Sequence, residues 1–248
     1  MKSIVLSLSL FLFFAVNVLF AQNYQQDVIE TNEGDLTITF IKHASLVLEY
    51  DDKVIHIDPV LRMGDYSKLP KADLIMITHA HGDHFDLNAI EKVRKPSTKM
   101  VVTKKCMEAS EHLENAVIMD DHGEKTLDGL KIQSVPAYNI KHKRENGEPY
   151  HPKGEGNGYI FNFGGKRVYV AGDTENTPEM KALKNIDVAF LPMNLPYTMT
   201  SKMVAKAAKA ISPKILYPYH FGETETNKLT RLLEDEEDIE VRIRDMGM

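Results

Sequence analysis

Thr78-His79-Ala80-His81-Gly82-Asp83-His84 decides the reading of this chain, because it follows directly on the apolar run Leu74-Ile75-Met76-Ile77. An apolar run of that length bounded by polar residues predicts an interior strand. Side chains on an extended segment repeat every second residue, so His79 and His81 should point the same way. Gly82 should let the chain turn sharply, bringing Asp83 and His84 to face a second point nearby. Neutral imidazole and carboxylate are the ligands that zinc and similar borderline metals take. A histidine-rich surface loop would account for a lone His-x-His, but it accounts poorly for the whole string set behind a strand.

The string resembles the metal motif of the metallo-β-lactamase superfamily, and further segments follow in that family's order. Gly172-Asp173-Thr174, after Val168-Tyr169-Val170-Ala171, is similar to the segment that supplies the family's bridging aspartate. His220, in Tyr217-Pro218-Tyr219-His220-Phe221-Gly222, resembles its last histidine. Ile41-Lys42-His43-Ala44-Ser45 and Ile55-His56-Ile57-Asp58-Pro59 look like the branch containing ascorbate-6-phosphate lactonases and N-acyl-phosphatidylethanolamine phospholipase D. The resemblance implies an α/β fold, a four-layer αββα sandwich, over residues 36–248.

It also implies a ligand set. His79 and His81 would serve a first metal, Asp83, His84 and His220 a second, and Asp173 would bridge both, with Asp83 and Asp173 the catalytic carboxylates. The implied cofactors are two divalent ions, zinc first, with manganese or iron(II) as alternatives. Metal binding lowers the pKa of water from about 15.7 to about 7, which makes a hydroxide nucleophile at neutral pH. No serine or cysteine nucleophile is then needed.

The chain departs from the family pattern at the first metal's third histidine. The matching segment is Val135-Pro136-Ala137-Tyr138-Asn139, with asparagine at the expected imidazole. Asn139 could bind through its carbonyl oxygen, or His142 or His151 could reach in from the long stretch 136–158. His151 is the stronger candidate, because His151-Pro152-Lys153-Gly154 has the rigid-then-flexible chemistry of a positioned loop. His142, inside Lys141-His142-Lys143-Arg144, reads more simply as part of a solvated basic face. The site could also lack a replacement and hold a weak first metal or none.

Several other residues have two readings. Asp58 either orients a metal-bound histidine through the ring's second N–H or is a turn aspartate before Pro59. His43 either meets substrate or is structural. His56 alternates inward and should simply pack, and His112 and His122 receive no role. Tyr138 and Tyr197 either meet a ligand or pack their loops, and 192–199 with 136–158 should wall the pocket, since loops on a rigid scaffold carry specificity.

With 248 residues and 43% apolar content the chain can bury a full core, as one two-layer domain or two fused halves. Lys2 and the apolar run 4–20, ending at Ala21, predict a secretory signal peptide over 1–21 and a periplasmic or secreted protein. The alternative is a membrane anchor at 4–20. Residues 22–35 are polar and acidic and read as a frayed lead-in. The single cysteine, Cys106, cannot form an internal disulfide and should be a buried small hydrophobe. The net charge of −6, one unit more negative once Lys2 leaves with the leader, disfavours a nucleic-acid backbone as partner. A small-molecule substrate is expected, with no stable membrane association after cleavage; the oligomeric state is not legible.

Periodicity adds an antiparallel meander over 36–41, 45–50 and 54–57, and strands at 100–103, 116–119, 130–135, 188–191, 215–217 and 239–243. Gly164-Gly165 marks a hairpin between 159–163 and 167–170. Helices are expected at 87–95, 107–113, 177–183, 200–211 and 223–233.

The leading function is a metal-dependent hydrolase of an ester, lactone or phosphodiester. Imidazole at His81 argues against the redox members of the superfamily, which carry glutamate there, and the segment at 192–199 does not resemble true β-lactamases. The alternative is a secreted metal-binding or sensing protein of the same fold with one metal and no hydrolysis.

Overall fold

The computed structural model describes residues 24–110, 113, 116–119 and 121–247. The expected leader and His112 lie outside them. The first sheet runs β1 (Gln25–Thr31), β2 (Gly34–Lys42), β3 (Ser45–Tyr50), β4 (Lys53–Ile57), β5 (Leu74–Met76), β6 (Lys99–Val102) and β7 (Val117–Ile118), in chain order. Its first four strands are antiparallel and the remainder join in parallel. The second sheet repeats that plan. Strands β8 (Glu124–Leu127), β9 (Leu130–Ala137), β10 (Gly156–Phe163) and β11 (Lys166–Val170) are antiparallel. Strands β12 (Val188–Pro192), β13 (Ile215–Tyr219) and β14 (Glu240–Val241) follow in parallel. The halves share topology although no sequence repeat is visible.

The two sheets pack face to face through Leu36, Ile38, Phe40 and Leu48 of one and Phe161, Phe163, Phe190 and Tyr217 of the other. Aromatic pairs such as Phe40–Tyr217, with ring centroids 5.0 Å apart, fill the centre of that layer. Helices α1 (Leu87–Val93) and α2 (Lys104–Ala109) cover the first sheet's outer face through Ile90, Val93 and Cys106. Helices α3 (Pro178–Lys181), α4 (Ser201–Ile211) and α5 (Asn227–Leu232) cover the second's. Helix α4 is amphipathic: Val204, Ala205, Ala207, Ala208 and Ile211 face the sheet, and the Thr200 hydroxyl accepts from Met203 N. The result is the expected four-layer αββα sandwich.

Four expectations need correction. Residues 25–31 are not a frayed lead-in but a paired edge strand, in register from Gln25↔Phe40 to Thr31↔Gly34. Its Asp27 carboxylate accepts from Arg244 Nη2 at 2.7 Å, from Arg242 and from the Tyr217 hydroxyl, which ties β1 to the segment 242–244. The helix expected at 107–113 lies earlier, at Lys104–Ala109, because the Thr103 hydroxyl caps it by accepting from Cys106 N. Strand β8 was not foreseen, since Glu124-Lys125-Thr126-Leu127 is polar and mostly exposed. Gly82 does not use glycine's freedom: a Cβ there would meet nothing. The turn is set instead by His84 N and Phe85 N donating to His81 O at 2.9 and 2.8 Å.

Candidate metal centre

The site gathers where the antiparallel part of each sheet gives way to the parallel part, beyond the carboxyl ends of the strands, a common place for ligands in α/β sheets. Asp58 follows β4, His79 follows β5, Asp173 follows β11 and His220 follows β13. Gly172 sets up Asp173: its φ is +65°, and a Cβ there would sit 2.8 Å from the carbonyl oxygen of Asn157.

Ring nitrogens converge on one point from three directions. His79 Nε2 and His81 Nδ1 lie 3.1 Å apart, and His151 Nε2 is 3.2 Å from the same His81 nitrogen. A second group joins Asp83, His84 and His220, with Asp83 Oδ2 at 3.9 Å from His84 Nε2 and 3.6 Å from His220 Nε2. Asp173 stands between them. Its Oδ2 is 3.3 Å from both His151 Nε2 and His220 Nε2, and its Oδ1 is 3.4 Å from His84 Nε2. The structure thus brings together every residue of the expected set: His79, His81, Asp83, His84, His151, Asp173 and His220.

The electrostatics suit cations. His84 Nε2, His220 Nε2 and Asp173 Oδ1 are buried without a hydrogen-bond partner, which is costly unless something else satisfies them. Burial opposes ionisation of Asp173, but His220, His84 and His151 outweigh it and hold its carboxyl well below the usual range. Burial, then the neighbouring imidazoles, push His79 well below the ordinary histidine value. His81 is lowered for the same reasons. His84 goes the other way, because the Asp173 and Asp58 carboxylates overcome its burial. Together these nitrogens and carboxylate oxygens make a donor set able to bind metal.

Behind the donors lies a layer that fixes their tautomers. Asp58 is fully buried, and its Oδ1 accepts from Thr78 N at 2.8 Å. Its Oδ2 accepts from the Thr78 hydroxyl at 2.6 Å and from His84 Nδ1 at 2.7 Å. The Thr78 oxygen, its own proton given to Asp58, can accept from His79 Nδ1 at 3.1 Å. One carboxylate therefore orients an imidazole in each ligand group, so Asp58 is more than a turn residue. Second-layer acceptors of this kind set which ring nitrogen is free for a metal.

The question left open at the first group is answered by the loop 138–155. Asn139 Oδ1 accepts from both the backbone N and Nδ1 of His151, each at 2.8 Å. A carboxamide oxygen only accepts, so the proton is on Nδ1 and the Nε2 lone pair faces the cluster. Asn139 thus positions His151 rather than substituting for it. His142 is elsewhere, with Nδ1 2.8 Å from Glu175 Oε1.

Sequence reasoning missed Glu175. Buried two residues after Asp173, its carboxylate accepts from the backbone N of Ile140, Lys141 and His142 at 3.0, 2.8 and 2.7 Å. No motif marks it; only the folded loop shows that it clips the segment carrying Asn139. His43 packs on His220 with ring centroids 3.7 Å apart and places Nε2 3.2 Å from Asp83 Oδ2. Tyr138 is turned away, its hydroxyl donating to Glu179 Oε2 at 2.9 Å, whereas Tyr197 and Asn194 line the cavity over the cluster. His56 donates to Pro70 O at 2.9 Å and is structural, and Cys106 is buried on the inward face of α2.

Comparison with known proteins agrees with this geometry. Residues 37–220 match the family model described as "Beta-lactamase superfamily domain". A protein of Nanoarchaeum equitans named a UPF0173 metal-dependent hydrolase is 31% identical over 190 residues, covering 75% of this chain and 84% of its own. A crystal structure from Parabacteroides distasonis, assigned as a metal-dependent hydrolase, is 48% identical with a TM-score of 0.85 and covers 90% of this chain and 100% of its own. The metallo hydrolase Igni18 of Ignicoccus hospitalis is 26% identical with a TM-score of 0.70, over 86% of this chain and 96% of its own. With the ligand string, the αββα layers and these relatives in agreement, the chain belongs to the β-lactamase superfamily, alongside its UPF0173 metal-dependent hydrolases.

Proposed function

We propose that this metal-dependent hydrolase holds two divalent cations, zinc first among them, and cleaves an ester, lactone or phosphodiester bond in a small molecule. The observation that carries the proposal is Asp173, buried between two groups of imidazoles with its Oδ2 3.3 Å from His151 Nε2 of one and from His220 Nε2 of the other, and its Oδ1 toward His84. His79, His81 and His151 would hold one cation and Asp83, His84 and His220 the other, with Asp173 shared. Bound there, the cations would supply a low-pKa water and polarise the scissile oxygen.

The chain's own residues prepare that chemistry. Asp58 and Asn139 keep protons on the Nδ1 atoms of His84 and His151, which leaves Nε2 as the inward nitrogen of each; on His84 a cation there would displace the second proton that the Asp173 and Asp58 carboxylates favour. The buried carboxylate of Asp173 stays ionised throughout the working pH range. Asp83 is likewise held well below the usual carboxylate range, because His220 and His43 outweigh its burial, and its partly exposed side chain borders the cavity. The position of His151 weighs against the single-metal binding protein, whose main support was an incomplete first ligand group. Export guided by residues 1–21 belongs to the same proposal and is read by sequencing the mature amino terminus.

The test combines elemental analysis with a panel of lactone, phosphodiester and acyl-ester substrates. Two metals per chain and turnover of one class are expected. Asp173→Ala should abolish turnover and lower metal content, leaving two like charges without the carboxylate between them. Chelator should copy that effect, with zinc or manganese restoring wild type alone. One metal or none in an active wild-type preparation would refute the dinuclear reading.

A further inference from the structure

The cavity over the candidate ligand cluster, about 440 Å³, has two arginines, Arg62 and Arg144, among its lining residues. They come from segments far apart in the chain. Arg62 lies on the 3-10 turn Leu61–Met63, which follows Asp58 and is held by Leu61 N donating to Asp86 Oδ2 at 2.9 Å. Arg144 lies on a small hairpin, where its N donates to Glu148 O at 2.7 Å and its O accepts from Gly147 N at 2.9 Å. The Arg144 guanidinium sits 5.0 Å over the Tyr150 ring, and Tyr150 in turn packs edge-on against Tyr197 at 5.2 Å.

Exposed arginines are usually either solvated or paired with a carboxylate. Here neither guanidinium is in an ion pair among the described residues, and Arg144 donates to the backbone oxygen of Tyr150 at 3.4 Å. Both remain beside a site that would already carry cations, in a chain whose net charge is −6. Asp58, Asp83 and Asp173 would offset most of the charge of two divalent ions, and the guanidiniums are left over. A guanidinium is a planar fork that matches a carboxylate or phosphate, and one already stacked on an aromatic ring loses less freedom on binding.

We propose that Arg62 and Arg144 form an anion-binding subsite, and that the substrate is a small hydrolysable ester carrying a separate anionic group, a carboxylate or a phosphate. This rests on the hydrolase reading above and adds the substrate's charge to it. The anionic group sits between the two arginines while the bond to be cleaved lies against His81 and Asp173. Tyr150 and Tyr197 wall the space between, and the cavity is of a size that suits small molecules.

The test uses the metal-loaded protein and three matched 4-nitrophenyl esters: acetate (neutral), glutarate (carboxylate) and a phosphonate-bearing acyl chain. Wild type should favour one anionic ester over the neutral one by roughly 10-fold or more in kcat/KM, chiefly through KM, as expected of one charge-assisted pair. Whichever anion is favoured identifies the source. In the Arg62→Gln/Arg144→Gln double variant that ratio should collapse by at least about 10-fold, with metal content per chain unchanged. Calorimetric binding of glutarate and methylphosphonate against dimethyl glutarate gives a readout independent of turnover. Anions also bind metals, so only the arginine-dependent part counts. If no ester is cleaved but the arginine-dependent binding preference is present, the subsite stands and the ester option gives way to a lactone or phosphodiester; if neither cleavage nor that preference is seen, the subsite is overturned. If esters are cleaved with a charge ratio that the double variant leaves unchanged, the subsite is overturned.

Discussion

Asp58→Asn should damage the metal centre chiefly through proton placement. The change preserves shape and removes one charge. Asp58 is buried and accepts three bonds, from Thr78 N, the Thr78 hydroxyl and His84 Nδ1. Thr78 N is an obligate donor, so the asparagine must turn its oxygen there and its NH2 toward Thr78 Oγ1 and His84 Nδ1. An NH2 facing Nδ1–H is a clash of donors, which moves the histidine proton to Nε2, the atom 3.4 Å from Asp173 Oδ1. The lone pair needed for a cation is then lost. The reverse orientation sets NH2 against Thr78 N–H, so neither escapes the conflict. Loss of a partner behind a metal-bound histidine typically costs 10–100-fold in affinity, about 1.4–2.7 kcal/mol, and should fall first on the group holding His84. Competition titration against a chromophoric chelator measures the affinity, and long-range 15N–1H correlation spectra locate the ring protons of His84. Wild-type affinity at both sites, with the His84 proton still on Nδ1, would refute the account.

Asn139→Ala should weaken one of the two metals by roughly 10–100-fold, because His151 loses the acceptor that fixes its tautomer; His151→Ala should remove that metal outright, and equilibrium dialysis separates the two effects. Asn139→His should not restore binding, since His151 already fills that position and would meet a second imidazole instead of a carboxamide oxygen. Burial lowers His56 from 6.5 to about 4, so the unfolded chain takes up a proton that the folded one refuses. Stability from this source is intact above pH 6.5 and is lost as pH falls from 6.5 toward 4, by about 3 kcal/mol in full. In urea titrations of chelator-treated protein, His56→Gln should gain on wild type by about that amount between pH 7 and pH 4; a constant gap would show that His56 does not titrate in this way.

Contacts between neighbouring residues were readable before any fold was known. The string from His79 to His84 carries its ligands on contiguous backbone behind one strand, so its chemistry was legible without a fold. The same holds for the β2–β4 meander and for the Gly164-Gly165 hairpin, each set by alternation and turn chemistry over a few residues. Resemblance to the family extended the ligand set to Asp173 and His220 and supplied the αββα layers, which local pattern does not contain. The tertiary structure decided what depends on distant chain. His151 meets His81 across 70 positions, and does so only because Asn139 turns its ring and Glu175 clips the loop's amides. Strand β1 looks like polar lead-in until β2 offers its backbone and Arg244, 217 positions away, takes the Asp27 carboxylate. Arg144 reads as part of a solvated basic face and Arg62 belongs to no motif; only the folded structure puts them on one cavity. Local pattern records what a segment prefers, but partners brought together by burial decide which preference is met and which side chain completes a site.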